Sequence, residues 1–420
     1  MAGAGGAPEP LSPLRRPEFR RLLPISVTVA LGFGMLVPIL PLYAESFGVG
    51  LAAIGLVQTV FGTTRFSFGL FAGLFVDRFG ERASTLAGLL VVALSSYAAG
   101  FAGSFPQLVA ARGFGGAGSA LFITGLMNRI LRIIEPAAMS RATGAFRSSF
   151  LVGIAAGPAL GGIVADRFGL AAPFHFYGTG LLVASAITWF VMAGEAAERG
   201  PRRRPLEALR AARPLFSDRR YVIALAATFA GWWTISGPAQ NLGPVFARDR
   251  LGFDQESIGY AATLLAAGEL VVLFFSGRAA DRRGRRAVML PSMGVTAAAT
   301  AALGFIEGAP WAYFAIMVAL GAGIAASSVA AGGLLADSIP EGGSGAAVGV
   351  NQMAGDLGYL ISPTAIGALA EGAGFAWAYA TAALPAAVVL GWALAVPEGA
   401  PAVRMAGPES DRRGQPTGLG

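Results

Sequence analysis

The feature that most constrains this chain is a long series of apolar runs punctuated by arginine. Twelve runs can be read, at approximately 22–44, 51–75, 84–103, 106–130, 138–165, 173–193, 220–246, 257–277, 287–306, 310–336, 344–370 and 375–396. A helix needs about 20 apolar residues to cross a bilayer, and each run supplies that length. Only 13% of residues are charged and mean hydropathy is +0.62, whereas a soluble domain carries about 25% charged residues. A water-soluble enzyme and a disordered chain are excluded. The expected fold is an all-α polytopic membrane protein, with twelve transmembrane helices in two pseudo-symmetric six-helix bundles.

Arginine placement gives the topology. All 31 basic residues are arginine. Only Arg167, Arg248 and Arg250 fall in loops of one side, while Arg65, Arg112 and Arg147 lie within apolar runs; the others gather on the opposite side and in the tails. Positive charge marks the cytoplasmic face, so both termini are expected inside a cell (inner) membrane, the first helix anchoring the chain rather than serving as a cleaved signal. The net charge of +7 therefore reports topology and not a nucleic-acid footprint. Residues 1–21 read as an N-terminal tail and 22–193 as a first bundle. Residues 194–219, with Arg199, Arg202, Arg203, Arg204, Arg210 and Arg213 beside Pro201 and Pro205, read as a linker. Residues 220–396 form a second bundle, and 397–420 a C-terminal tail.

Absences narrow the chemistry. Cysteine is absent and His175 is the single histidine, which leaves no disulfide, no thiolate and no multi-histidine metal centre. Lysine is absent too, so Schiff-base chemistry is excluded. No G-x-x-x-x-G-K-[ST] motif is present, so nucleotide hydrolysis is not the energy source. No cofactor or metal is expected, and the chain is read as a non-enzyme.

The halves repeat. Gly73, Asp77, Arg78, Gly80 and Arg82 follow the second run, and Gly277, Asp281, Arg282, Gly284 and Arg286 follow the eighth, 204 residues later. In the fifth and eleventh runs Gly144, Gly153 and Pro158 fall on Gly349, Gly358 and Pro363 at a shift of 205. Six-helix parallel repeats are related by an axis along the membrane normal, with the substrate path between them.

These loops resemble the signature loop of the major facilitator superfamily, G-x-x-x-D-R-x-G-x-R, and the resemblance covers nearly the whole chain. It implies that the loop braces the halves in an outward-facing state and gates their rocking. Leu108-x-x-x-Arg112 with Gly116 and Gly118 looks like the family's fourth-helix motif, whose arginine is implicated in proton coupling; the second half has Met317 at that position. A helix-end arginine reaching for the interface is the other reading of Arg112. Gly153, Gly157, Pro158, Gly161 and Gly162 are similar to the family's antiporter signature. Leu31-Gly32 with Pro38 and Pro41 resembles the first-helix motif of twelve-helix drug exporters.

Arg65, Arg112, Arg147, Glu269 and Asp356 are ionisable groups inside apolar runs. Each costs about 2.5–3.5 kcal/mol at a helix centre on insertion scales, so they are expected to face inward and pair. Arg65 and Glu269 precede Gly73 and Gly277 by eight residues each. The resemblance sets helix two against eleven and five against eight, suggesting Arg65 with Asp356 and Arg147 with Glu269. Asp356, Glu269 and Arg112 are the proton-coupling candidates; a permanent salt bridge is the alternative role for the carboxylates. Many exporters of the group carry an acid within helix one, whereas Glu45 lies at the outer end of this one.

If helices one, four, seven and ten line the cavity, as the resemblance implies, then Phe33, Met35, Phe122, Trp232, Trp233 and Gln240 are lining candidates, joined by Asn351, Gln352 and Tyr359. Aromatic and Met walls suit bulky lipophilic or cationic compounds. The expected function is proton-coupled export of an organic or drug-like small molecule by alternating access, with the chain working in the lipid bilayer as a monomer. The alternative is import or facilitated diffusion of a metabolite; a membrane-embedded enzyme or receptor is the remote one.

Overall fold

The computed structural model describes residues 13–135, 138–192, 213–339 and 344–395. Most of the expected linker, the expected C-terminal tail and the first part of the N-terminal tail lie outside the described residues. Among the described residues the structure is helical, without strands. The first half runs through α1 (Pro17–Leu36), α2 (Ile39–Glu45), α3 (Leu51–Gly100), α4 (Phe105–Ile133), α5 (Met139–Phe168) and α6 (Ala172–Val191). The second comprises α7 (Arg219–Thr234), a π-helical turn (Ile235–Leu242), α8 (Gly243–Leu251), α9 (Gln255–Arg283), α10 (Arg285–Ala302), α11 (Pro310–Ser338), α12 (Ser344–Ala373), α13 (Phe375–Ala382) and α14 (Leu384–Ala395). Helix α1 opens at Pro17, ahead of the expected residue 22, because proline suits a first helical turn whose N–H has no partner. At the head of α9 the Asp254 carboxylate accepts the Ser257 amide at 2.8 Å, a side-chain cap.

Nine helices among the described residues are long and apolar enough to cross a membrane. The other three apolar runs, 51–75, 106–130 and 344–370, are helical as well. They are rich in glycine and carry Arg65, Arg112 and Asp356 respectively, which lowers their hydropathy without shortening them.

Helix α3 is two helices joined at Gly80, whose backbone sits at φ 85°, ψ 166°. Gly284 separates α9 from α10 at φ 91°, ψ 156°. Side chains are excluded from that conformation, so the two signature loops need glycine to turn without a linker. The other positive-φ residues form two more pairs at the repeat shifts of 204 and 205, Gly48 with Gly252 and Gly169 with Gly374.

Side chains repeat as well. Arg82 Nη2 donates to the Trp189 carbonyl at 2.9 Å and Arg286 Nη2 to the Leu394 carbonyl at 2.9 Å. Both carbonyls lie in the last turn of a helix, where they lack an intrahelical partner and attract a cation. Two further pairs keep their position but reverse polarity. Glu81 meets Arg132 at 3.1 Å in the first half, and Arg285 meets Asp337 at 3.6 Å in the second.

Packing relies on small residues, as it must where lipid offers no hydrophobic drive between helices. A Cβ on Gly116 would overlap the Phe61 carbonyl and approach the Arg65 amide; a Cβ on Gly321 would overlap the Leu265 carbonyl and approach the Glu269 amide. Arg65 and Glu269 thus occupy one place in the two repeats with opposite charge. The first and seventh runs are each irregular at mid-length. The first breaks at Val37–Pro38, and the seventh adopts the π-turn around Pro238, which has no N–H to give.

Candidate functional site

The halves meet along α3 against α12 and α5 against α9. At the end bearing Gly48 and Gly169 this seam is closed. Gly55 of α3 packs on the Pro363 carbonyl of α12, and Gly259 of α9 packs on the Pro158 carbonyl of α5, each so close that a Cβ would collide. Thr59 Oγ1 donates to the Leu360 carbonyl at 2.7 Å and lies 3.0 Å from Thr364 Oγ1. Thr263 Oγ1 accepts the Ala159 amide at 3.0 Å. Nearer the rim, Glu45 forms an ion pair with Arg248, which also reaches Asp249 at 3.1 Å, and Glu371 Oε2 accepts the Ala52 amide at 3.3 Å.

Towards the Gly80 end the seam loosens. Arg65 Nη2 stands 4.0 Å from Asp356 Oδ1, and Gln352 donates to the same oxygen at 3.2 Å. Past this pair, among the described residues, no hydrogen bond or ion pair joins the halves. A Cβ on Gly69, Gly73, Gly277 or Gly349 would meet nothing, and Phe71 is 62% exposed. Among the described residues, polar and close backbone contacts seal one end of the seam and none spans the other.

A narrow pocket lies in the seam, partly continuous with solvent. Phe33, Gln58, Phe61, Arg112, Gln240 and Tyr359 face it, beside aliphatic residues of the α1–α2 junction. Arg112 is only 2% exposed, so it does not extend to a helix-end interface. Its guanidinium lies 4.6 Å from the Phe61 ring centroid, a cation–π contact. Its Nε and Nη1 are buried without a hydrogen-bond partner. Among the described residues no carboxylate forms an ion pair with Arg112 and none lines the pocket, whose charge is therefore positive.

Of the expected lining residues, Phe33, Gln240 and Tyr359 face the pocket. The others are placed elsewhere. Met35 is buried where Gly161 seats on its backbone, and the Phe122 backbone is met by Gly88. Trp233 stacks on Phe229, and Trp232 stands edge-on to Tyr359. Asn351 accepts from Thr228 at 2.9 Å, and Gln352 holds Asp356. The fixed charge in the wall of this pocket is the Arg112 guanidinium.

The remaining candidates divide by face. On α5, Gly153, Gly157 and Gly161 pack against the α1 backbone, while Pro158 and Gly162 face α9 across the seam. The Glu269 backbone amide packs beside Gly321 of α11, and among the described residues the Glu269 side chain forms no ion pair; the side chain of Arg147, its expected partner, lies outside the described residues. In the signature loops Arg78 rests 5.5 Å from the Phe79 ring centroid, and Asp281 pairs with Arg285 at 2.6 Å. Gln58 and Phe61 were not among the expected lining residues. The signal that marks their helix is a G-x-x-x-T spacing, Gly55 to Thr59, which recurs 204 residues later as Gly259 to Thr263.

Comparison with known proteins agrees with this architecture. The Major Facilitator Superfamily model matches residues 22–255 and 237–415. Multidrug resistance protein 1 of Bacillus subtilis is 24% identical over 248 residues, 58% of this chain and 62% of that protein, so less than two thirds of that relative is spanned. The fold is similar to that of a D-xylose-proton symporter, with TM-score 0.71 at 15% identity, covering 90% of this chain and 98% of the other. It is also similar to an inward-facing bacterial homologue of the lysosomal transporter Spinster, with TM-score 0.67 at 16% identity over 90% and 94% of the two chains. The chain belongs to the major facilitator superfamily.

Proposed function

We propose that this chain is a twelve-span secondary active transporter that exports an organic small molecule in exchange for protons, as a monomer, with both termini cytoplasmic. The observation that carries the reading is the unequal seam. Glycine, proline and threonine close it at one end in two symmetric copies, while among the described residues no such closure stands at the other, with a pocket between. Alternating access asks for such a state and for its mirror. The open end carries Arg78, Arg82, Arg278, Arg282, Arg283 and Arg286, which the positive-inside rule assigns to the cytoplasm. The conformation is then inward-facing.

Export is favoured by the antiporter-like run on α5, whose Pro158 and Gly162 form part of the seal, and by similarity to a multidrug resistance protein. Asp356 is the first candidate for the coupling carboxylate. It is held by an arginine of the opposite half across 4.0 Å, so opening the seam on either side changes what faces it. Glu269, at the repeat position of Arg65, is the second candidate. The chain acts as a carrier and not as an enzyme.

The test is flux in reconstituted vesicles under an imposed pH gradient, with a panel of lipophilic organic ions. Uphill substrate movement against a counter-flow of protons is expected. Movement of substrate and protons in the same direction would make the chain a symporter, and flux that ignores the gradient would make it a facilitator.

A further inference from the structure

We propose that the pocket selects small organic anions, binding a carboxylate at Arg112 and laying the attached apolar body against Phe33 and Phe61. The inference takes the pocket of the transport reading as the substrate's place and adds its charge preference.

Arg112 is fully enclosed, yet two of its donor nitrogens have no acceptor. A buried charge with unmet donors is strongly unfavourable unless something completes it. Phe61 covers the guanidinium but accepts no conventional hydrogen bond, so it leaves the donors unmet. Neither interior carboxylate lines the pocket: Asp356 is held by Arg65 and Gln352, and Glu269 is not among its lining residues. What else lines the pocket is uncharged: Gln58, Gln240 and Tyr359 offer amide and phenol groups, and Phe33 and Phe61 offer ring faces. An oxygen anion supplies the missing acceptors, and a charge-assisted hydrogen bond of this kind is stronger than a neutral one. A cationic guest would face the Arg112 charge with no carboxylate to offset it. The second half has Met317 at the Arg112 position, so the pocket has one such anchor and suits a monoanion with an aromatic or aliphatic tail.

The test uses the full chain in detergent at neutral pH and three matched probes: 2-naphthoate, its neutral amide 2-naphthamide, and 2-naphthylmethylammonium. Calorimetry should rank naphthoate first, roughly tenfold tighter than the amide, or about 1.4 kcal/mol. Arg112→Gln should remove that advantage while amide binding persists, which shows that the pocket is still folded; Arg112→Lys should keep part of it. Tightest binding of the ammonium, or an unchanged naphthoate advantage in Arg112→Gln, overturns the inference. Naphthoate that binds through Arg112 but is not moved across vesicles would support the inference and refute the transport reading. Carriage of the ammonium in vesicles without any naphthoate preference would do the reverse.

Discussion

Thr59 and Thr263 occupy the same position on the two interfaces between the halves, 204 residues apart. One donates to a carbonyl of α12 and the other accepts an amide of α5. Each lies one helical turn beyond a glycine that packs on the facing proline carbonyl. The closed end is therefore held by two copies of one contact, and either copy can be loosened alone.

Gly259→Leu places a side chain where the Pro158 carbonyl lies and should favour the outward-open state. The chain has no cysteine, so a single Gln240→Cys reports access to the pocket. An impermeant maleimide added from outside should react roughly tenfold faster in the Gly259→Leu background, as a shift of about 1.4 kcal/mol in a two-state equilibrium requires. An unchanged rate would mean that the contact does not hold the seal.

The Glu45–Arg248 pair at the rim is partly solvated, with side chains 20% and 33% exposed. Such pairs contribute about 0.2–1 kcal/mol. Glu45→Gln should accelerate the same labelling by roughly twofold to fivefold, and exchanging the charges in Glu45→Arg with Arg248→Glu should slow it again. No recovery in the exchanged pair would count against a direct latch.

Asp356→Asn should abolish proton-driven accumulation while substrate exchange continues. Arg65→Ala leaves Asp356 without its partner from the opposite half, and adding Asp356→Asn should restore part of the lost exchange. Uphill transport that survives Asp356→Asn would move the coupling role to Glu269.

The Asp254 cap has a pH signature. Its hydrogen bonds from Ser257 hold the carboxyl below the ordinary aspartate value of 3.8. A carboxylate with a lowered native pKa stabilises the fold above its unfolded value, and that contribution is lost as pH falls through the folded value. Asp254→Ala should lower stability by about 1 kcal/mol near neutrality. Thermal unfolding of parent and variant should converge in acid. A difference that persists below that range would mean that the ionised carboxylate is not what stabilises this helix start.

Much of the fold was legible because the bilayer imposes a length and a polarity on each span. The repeat exposed Gly80 and Gly284 as equivalent turns, and Arg65, Glu269 and Asp356 stood out as charges where charge is costly. The pocket was harder to read. Phe122 and Met35 have the composition of a cavity wall, yet both are buried in packing within their own half, and composition does not tell which face of a helix looks inward. Gln58 carried no such mark, since a neutral amide in an apolar run looks like any other polar interruption. The seal between the halves was spelled out twice as G-x-x-x-T, but its meaning depended on which helix lay opposite. The π-turn at Ile235–Leu242, which brings Gln240 to the pocket, follows from Pro238 only once the neighbouring helices fix the chain's course.

The polarity reversal between the halves has a consequence for assembly. The repeat position of Asp356 is Leu151, and that of Arg112 is Met317. Two copies of the first half joined together would set each Arg65 opposite a leucine and would bury two unpartnered arginines. The descendants of the duplication are no longer interchangeable. Separately expressed fragments should reconstitute a working carrier only as an unlike pair.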